Sequence, residues 1–158
     1  MRIRKANTKD ISVIQKLNEA EVPHVGSIRR KDFLRFLEIS SHFVVIEIGE
    51  EIAGFMIFLR EGVEYQSPNY GFFVNHYTKF EYVDRIVIKK EFQGQGLGKK
   101  LYNYLFKLNE TPLVCCEVNI KPENPNSMAF HKKMGFKEKG KLITHNGNKV
   151  VSMLVRSL

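Results

Sequence analysis

The chain has no long hydrophobic run, no low-complexity tract, no internal repeat and only two cysteines in 158 residues. Each lack excludes something. The longest apolar stretch, Ile52 to Leu59, is far short of the roughly 20 residues a membrane helix needs and reads as a strand, so no membrane partner is expected. The opening Met1-Arg2-Ile3-Arg4-Lys5 runs into polar residues with no apolar segment behind it; a signal peptide is not expected, and the mature chain is expected to start here. Cys115 and Cys116 are adjacent on a predicted strand, where neighbouring side chains point to opposite faces, which disfavours a disulfide between them. No second Cys or His stands at metal-ligand spacing from either, so no metal site is expected. They read as two small apolar fillers in a reducing, cytoplasmic setting.

What is present is an ordinary globular composition, 43% hydrophobic and 27% charged. A compact chain of this length buries roughly 70% of its unfolded surface, enough for one core, and no linker or composition shift divides it; one domain over 1–158 is expected. The net charge of +8 fits nucleic acid, an acidic surface, or an anionic cofactor or substrate. Lysines and arginines are dispersed, and no aromatic-spaced basic motif of a nucleic-acid module occurs, so nucleic acid ranks behind an anionic ligand.

In chain order, a short strand begins at Ile3, and Asn7 followed by Asp10 three residues on is a helix-start signal for a helix carrying Ile11, Ile14 and Leu17 to about Ala20. A turn-rich loop, Glu21 to Ser27, follows with His24, read as a surface or a substrate residue. Phe33, Leu34 and Leu37 mark a second helix. Phe43 to Ile48 and Ile52 to Leu59 form a hairpin, with Gly54 marking a bulge or a close approach. Glu61 to Lys79 shows neither period and is read as a long aromatic loop, a lid or pocket wall or a segment packed by its own rings. Phe80 to Ile88 is a strand with Tyr82, Asp84, Ile86 and Ile88 on one face. Leu97, Leu101, Tyr104, Leu105 and Leu108 then set out one helical stripe, stopped by Pro112, and Leu113 to Ile120 is a strand, giving a parallel β-α-β unit. Asn124-Pro125 opens a short helix that Gly135 closes, and Asn146-Gly147 joins a final strand pair.

The chemistry concentrates at Gln93-Gly94-Gln95-Gly96-Leu97-Gly98, where a strand stops and a helix starts. Glycines at alternate positions let successive N–H groups converge, and the helix adds the positive end of its dipole. Flanked by Lys89, Lys90, Lys99 and Lys100, this is a cradle for phosphate or pyrophosphate. A P-loop does not fit: Gly94 to Gly98 is one residue short, and Lys99 is followed by Lys100 instead of a hydroxyl. A dinucleotide fingerprint fits poorly, because Lys99 occupies its third glycine position.

Gln93-x-x-Gly96-x-Gly98 after an apolar strand, followed by Asn124, Ala129-Phe130 and Gly135-Phe136, resembles the two signature motifs of the GCN5-related N-acetyltransferases, and the element order matches along essentially the whole chain. The resemblance implies a mixed α/β fold: a central, mostly antiparallel sheet with one parallel β-α-β unit at the cofactor loop, flanked by helices. It implies acetyl-coenzyme A as cofactor, with the pyrophosphate on Gln93, Gly94, Gln95, Gly96, Leu97, Gly98 and Lys99, and the pantetheine arm along the backbone of Ile86, Val87 and Ile88. Asn124 and Phe130 would line its far side.

Acetyl transfer to an amine needs a base for the amine proton, and an acid can assist the departing thiolate. The family's acid is commonly a tyrosine in the second motif; His131 stands at that position, either as acid or cofactor contact or as part of the helix surface. Cys116-Glu117-Val118 resembles the Leu-Glu-Val segment of the ribosomal-protein N-terminal acetyltransferases, which makes Glu117 the first candidate base. Histone-type members carry a glutamate where this chain has Tyr82; Asp84, two residues on, is the second candidate. The implied activity is direct N-acetyl transfer to a primary amine of a small molecule or peptide. The alternative is a non-catalytic acyl-CoA-binding or regulatory module. Dimerisation, common in the family, is left open by the sequence.

Overall fold

The computed structural model describes residues 1–158, the side chain of His145 excepted. The elements are β1 (Arg2–Lys5), α1 (Ile11–Ala20), α2 (Arg30–Ile39), β2 (His42–Ile48), β3 (Glu51–Arg60), α3 (Pro68–His76), β4 (Glu81–Ile88), α4 (Leu97–Leu108), β5 (Leu113–Lys121), α5 (Pro125–Lys133), β6 (Lys137–Thr144) and β7 (Lys149–Ser157). The hydrogen-bonded strand order is β1-β2-β3-β4-β5-β7-β6. The β1-β2, β2-β3, β5-β7 and β6-β7 pairs are antiparallel and β4-β5 is parallel, so the mixed α/β architecture is as the sequence implied. Among the described residues no helix is long and apolar enough to cross a membrane.

Contacts group the chain into two compact units, Met1–Leu59 with Val83–Asn109, and Arg60–Tyr82 with Glu110–Leu158. In the first, the Asn7 side chain caps a 3-10 turn and Asp10 returns the bond to the Asn7 N–H, launching α1. Ile11 and Ile14 of α1, Phe33 of α2, and Phe43 and Phe55 of the hairpin are fully or almost fully buried, with Phe33 edge-on to Phe55. Gly54 serves both expected purposes: a bulge falls between its partner Ile46 and Glu47, and a Cβ at Gly54 would lie 2.6 Å from the Val87 carbonyl oxygen. The core stripe of α4 is Leu97, Leu101, Tyr102 and Leu105; the expected Tyr104 and Leu108 are only half-buried. The helix ends on Asn109 in the left-handed region, three residues before Pro112.

In the second unit the parallel ladder is short, Glu81 opposite Val114 and Tyr82 opposite Cys115. Strand β5 then pairs with β7 along its length, with a bulge between Asn119 and Lys121. Cys115 and Cys116 are both buried and neither is in a disulfide. At the β6-β7 turn Asn146 and Gly147 both take positive φ, as the hairpin dipeptide demands.

The stretch read as a long aromatic loop is not all loop. It contains α3, opened by Ser67, whose Oγ accepts from the Tyr70 N–H, with Pro68 in the first turn. The helix is short and only Tyr70 and Phe73 of it are buried, three residues apart, with Phe72 off that stripe, which is why periodicity reads past it.

Candidate active site

In the first unit the glycine turn is built to expose backbone. Gly94 (φ 74°) and Gly96 (φ 80°) sit in the left-handed region, and a Cβ at either would meet nothing within 4 Å. The glycines are therefore required by dihedral, and the space beside them is open. Gly96 caps α4 with no side-chain bond, so the first N–H groups of the helix, at Leu97, Gly98 and Lys99, have no intrahelical acceptor and point out of its positive end. Two glutamines hold the turn in shape: Gln93 Nε2 donates to the Ile88 carbonyl at 2.9 Å and to Glu21 Oε1 at 3.2 Å, and Gln95 Nε2 donates to the Glu91 carbonyl at 3.0 Å. Open space, unshared N–H groups and the exposed Lys99 fit a pyrophosphate. One expected contributor is committed elsewhere. Lys89 pairs with Glu51 and with Glu91, so its charge is largely answered within the protein.

Of the carboxylates, Asp84 lies in the first unit and is taken up by a neighbour. Arg85 Nε reaches Asp84 Oδ2 at 2.8 Å, with the Arg85 and Asp84 side chains only 8% and 3% exposed. The same guanidinium donates from Nη1 to Asn18 Oδ1 at 2.8 Å and to the Gly26 carbonyl at 3.0 Å, and it stands 5.9 Å from the centre of the Phe36 ring. Asp84 thus anchors the network that fastens the loop after α1. His24 lies exposed in that loop.

Glu117, half-buried on β5 in the second unit, is placed differently. Its Oε1 accepts from the Tyr82 hydroxyl at 2.9 Å and from Asn69 Nδ2 at 3.0 Å. Tyr82 is 1% exposed, its ring packed 5.5 Å from Tyr70 and 5.7 Å from Phe73. Neither partner of Glu117 is evident from the sequence: Tyr82 enters there only as the residue standing in for a glutamate, and Asn69 lies in the stretch read as loop.

His131 faces inward on α5. It is 4% exposed, edge-on to Phe130 and Phe136, and Nδ1 donates to the Ser127 carbonyl at 2.7 Å. Burial lowers its pKa from the ordinary 6.5, more than the Ser127 bond restores it, so the imidazole is neutral at pH 7 with its one proton held on Nδ1. Asn124 opens α5 by accepting from the Ser127 N–H at 3.4 Å, and Phe130 is half-buried on the same helix.

Residues 11–136 match the model of the Acetyltransferase (GNAT) family. The chain belongs to the GNAT acetyltransferases. It is an acyltransferase by family, and acetyl-coenzyme A is the family's cofactor. Among solved structures it resembles Naa20 of Chaetomium thermophilum, solved with a bisubstrate analogue (17% identity, TM-score 0.80, covering 100% of this chain and 87% of that one). It also resembles the ribosomal-protein-S18-alanine N-acetyltransferase of Escherichia coli (15%, TM-score 0.73, 99% and 92%). A third is yncA of Salmonella typhimurium, whose structure carries its cofactor acetyl-CoA (16%, TM-score 0.73, 100% and 94%). Identities this low carry the fold and not the acceptor.

Proposed function

We propose that this GNAT protein transfers an acetyl group directly to a primary amine of a small molecule or peptide, with Glu117 as the base. The observation that carries the reading is the orientation of that carboxylate by two neutral donors, Tyr82 and Asn69, which fix its geometry without cancelling its charge. Acetyl-coenzyme A supplies the acetyl group as an activated thioester. The N–H groups of Gly94 to Lys99 would hold its diphosphate and the backbone of Ile86, Val87 and Ile88 would offer partners to its pantetheine amides, while Asn124 and Phe130 of α5 are the second motif's candidates for the same cofactor.

Glu117 draws the proton from the approaching ammonium, leaving a neutral amine to attack. His131, neutral and with its proton spent on Ser127, is not the acid; a thiolate is stable enough to depart without a donated proton. Asp84, paired with Arg85, serves the loop and takes no part in the chemistry. A cytoplasmic setting accords with the two free thiols.

The test is thiol release from acetyl-coenzyme A with a panel of spermidine, lysine, an aminoglycoside and short peptides with free N-termini. Turnover of at least one amine, abolished by Glu117→Gln and retained by Asp84→Asn, is the expected result. Tight coenzyme binding with no amine acetylated would replace this reading with the non-catalytic module.

A further inference from the structure

Helix α3 reaches Glu117 through one side chain, and the frame around that side chain is rigid. Asn69 sits between Pro68, fixed in φ at the helix start, and Tyr70, whose hydroxyl donates to the Arg60 carbonyl at 2.6 Å and accepts from the Val63 N–H at 3.2 Å. Tyr70 is 2% exposed and Phe73, one position further along the buried stripe, is 0% exposed. Both rings pack on Tyr82, the other donor to Glu117. The far end of the connection is closed by Glu61, which accepts from the Phe80 N–H at 3.1 Å. Asn69 therefore has little freedom, and its amide meets Glu117 Oε1 at 3.0 Å from 48 residues away in sequence.

We propose that Asn69 is a positioning residue for Glu117: together with Tyr82 it fixes the rotation of the carboxylate through Oε1 before the amine arrives. The inference rests on the reading of Glu117 as base. Two donors converging on one oxygen determine the carboxylate plane where a single donor leaves it free to turn. Both donors are neutral, unlike the guanidinium that meets Asp84, so neither of them offsets the negative charge that must receive an ammonium proton.

Three variants test it: Asn69→Leu, which removes the donor; Asn69→Asp, which sets a second carboxylate against the first; and Asn69→His, which restores an N–H donor. The readouts are the kcat and KM of the fastest amine in the panel, the pH at which kcat/KM reaches half its plateau, and the pH titration of the Glu117 δ-carbon by 13C NMR. The NMR resonance is assigned by its loss in Glu117→Gln, and this readout needs no acceptor. Asn69→Leu is expected to lower kcat about tenfold with the KM for acetyl-coenzyme A unchanged. Asn69→Asp is expected to move both the half-plateau pH and the NMR midpoint upward by about one unit relative to wild type, because a like charge opposes ionisation. Asn69→His is expected to recover part of kcat. An NMR midpoint unchanged from wild type in both Asn69→Leu and Asn69→Asp overturns the proposal; if Asn69→Asp does not fold, Asn69→Leu alone decides by the same measurement. If the midpoint moves while Glu117→Gln keeps wild-type turnover, the assignment of the base falls and the hold of Asn69 on Glu117 stands.

Discussion

The hydroxyl of Tyr82 donates to Oε1 of Glu117 across 2.9 Å, and the ladder explains how: Tyr82 stands opposite Cys115 in the parallel pair, two residues before Glu117. A strand's period of two puts Cys115 and Glu117 on the same face, so the tyrosine has only to lean along its neighbour to reach the carboxylate. Separating the base from its support is then a matter of two substitutions. Glu117→Gln keeps the shape and removes the proton acceptor; kcat/KM is expected to fall by about 10²–10⁴ with coenzyme affinity retained. Tyr82→Phe keeps the buried ring and removes one donor, with a loss of about 1 kcal/mol in stability and a smaller loss of rate. Steady-state thiol release and urea unfolding read the two effects; a Tyr82→Phe enzyme slower than Glu117→Gln would reverse the roles.

The glycine turn makes a separate prediction because its two glycines are required by dihedral and not by packing. At Gly96 φ is 80° and an added Cβ meets nothing within 4 Å. A β-branched residue is costly in that region, whereas asparagine tolerates it. Gly96→Val is expected to cost about 1–2 kcal/mol and to weaken coenzyme A binding. Gly96→Asn should fold nearly as well as wild type. Thermal melts and calorimetric titration with coenzyme A check this, and equal losses in the two variants would show that volume and not dihedral is at issue.

The glycine turn, the short final helix and the closing hairpin were legible because each is announced locally: alternate glycines after a strand, Asn124-Pro125 before Gly135, Asn146-Gly147 between strands. Helix α3 was announced too, by Ser67-Pro68, but the run of aromatics masks the signal, since Tyr65 stands before the helix starts and Phe72 lies beside the buried pair Tyr70 and Phe73. What no local pattern could reveal is pairing over distance. Asp84 and Glu117 are both carboxylates on half-buried strand positions; the guanidinium at Asp84 comes from its chain neighbour Arg85, but only the fold ties that guanidinium to Asn18 and brings Tyr82 and Asn69 to Glu117.

That difference predicts that mutation at Asp84 lowers stability where mutation at Glu117 lowers rate. The Arg85 and Asp84 side chains are 8% and 3% exposed, so removing Arg85 takes a close positive charge from a buried carboxylate. Arg85→Met is expected to cost about 3–5 kcal/mol, and it also frees Asn18 and Gly26 from their donor. Asp84→Asn is expected to destabilise as well, while the variant that remains folded keeps its rate per folded molecule. Urea unfolding combined with active-site titration separates the two; a rate loss in Asp84→Asn beyond its loss of folded protein would return Asp84 to the list of bases.

Acid should weaken the fold in two steps, each with its own residue. His131 is buried and its pKa lies below the ordinary 6.5, so as pH falls through about 6.5 the unfolded chain takes up a proton that the folded chain does not, and stability drops. Glu61 is the carboxylate case. The Arg60 guanidinium first, and the Phe80 N–H with it, hold its pKa at about 2 against an ordinary 4.5. Its contribution is complete above 4.5 and is lost as pH falls from there toward about 2. His131→Phe, which keeps an aromatic ring between Phe130 and Phe136, is expected to flatten the melting temperature between pH 7 and 5 and leave the lower step in place. Glu61→Gln should do the converse. Melting temperatures from pH 8 to 3 for wild type and both variants decide it, and a His131→Phe curve parallel to wild type through pH 6 would mean that this histidine is not the group that yields first.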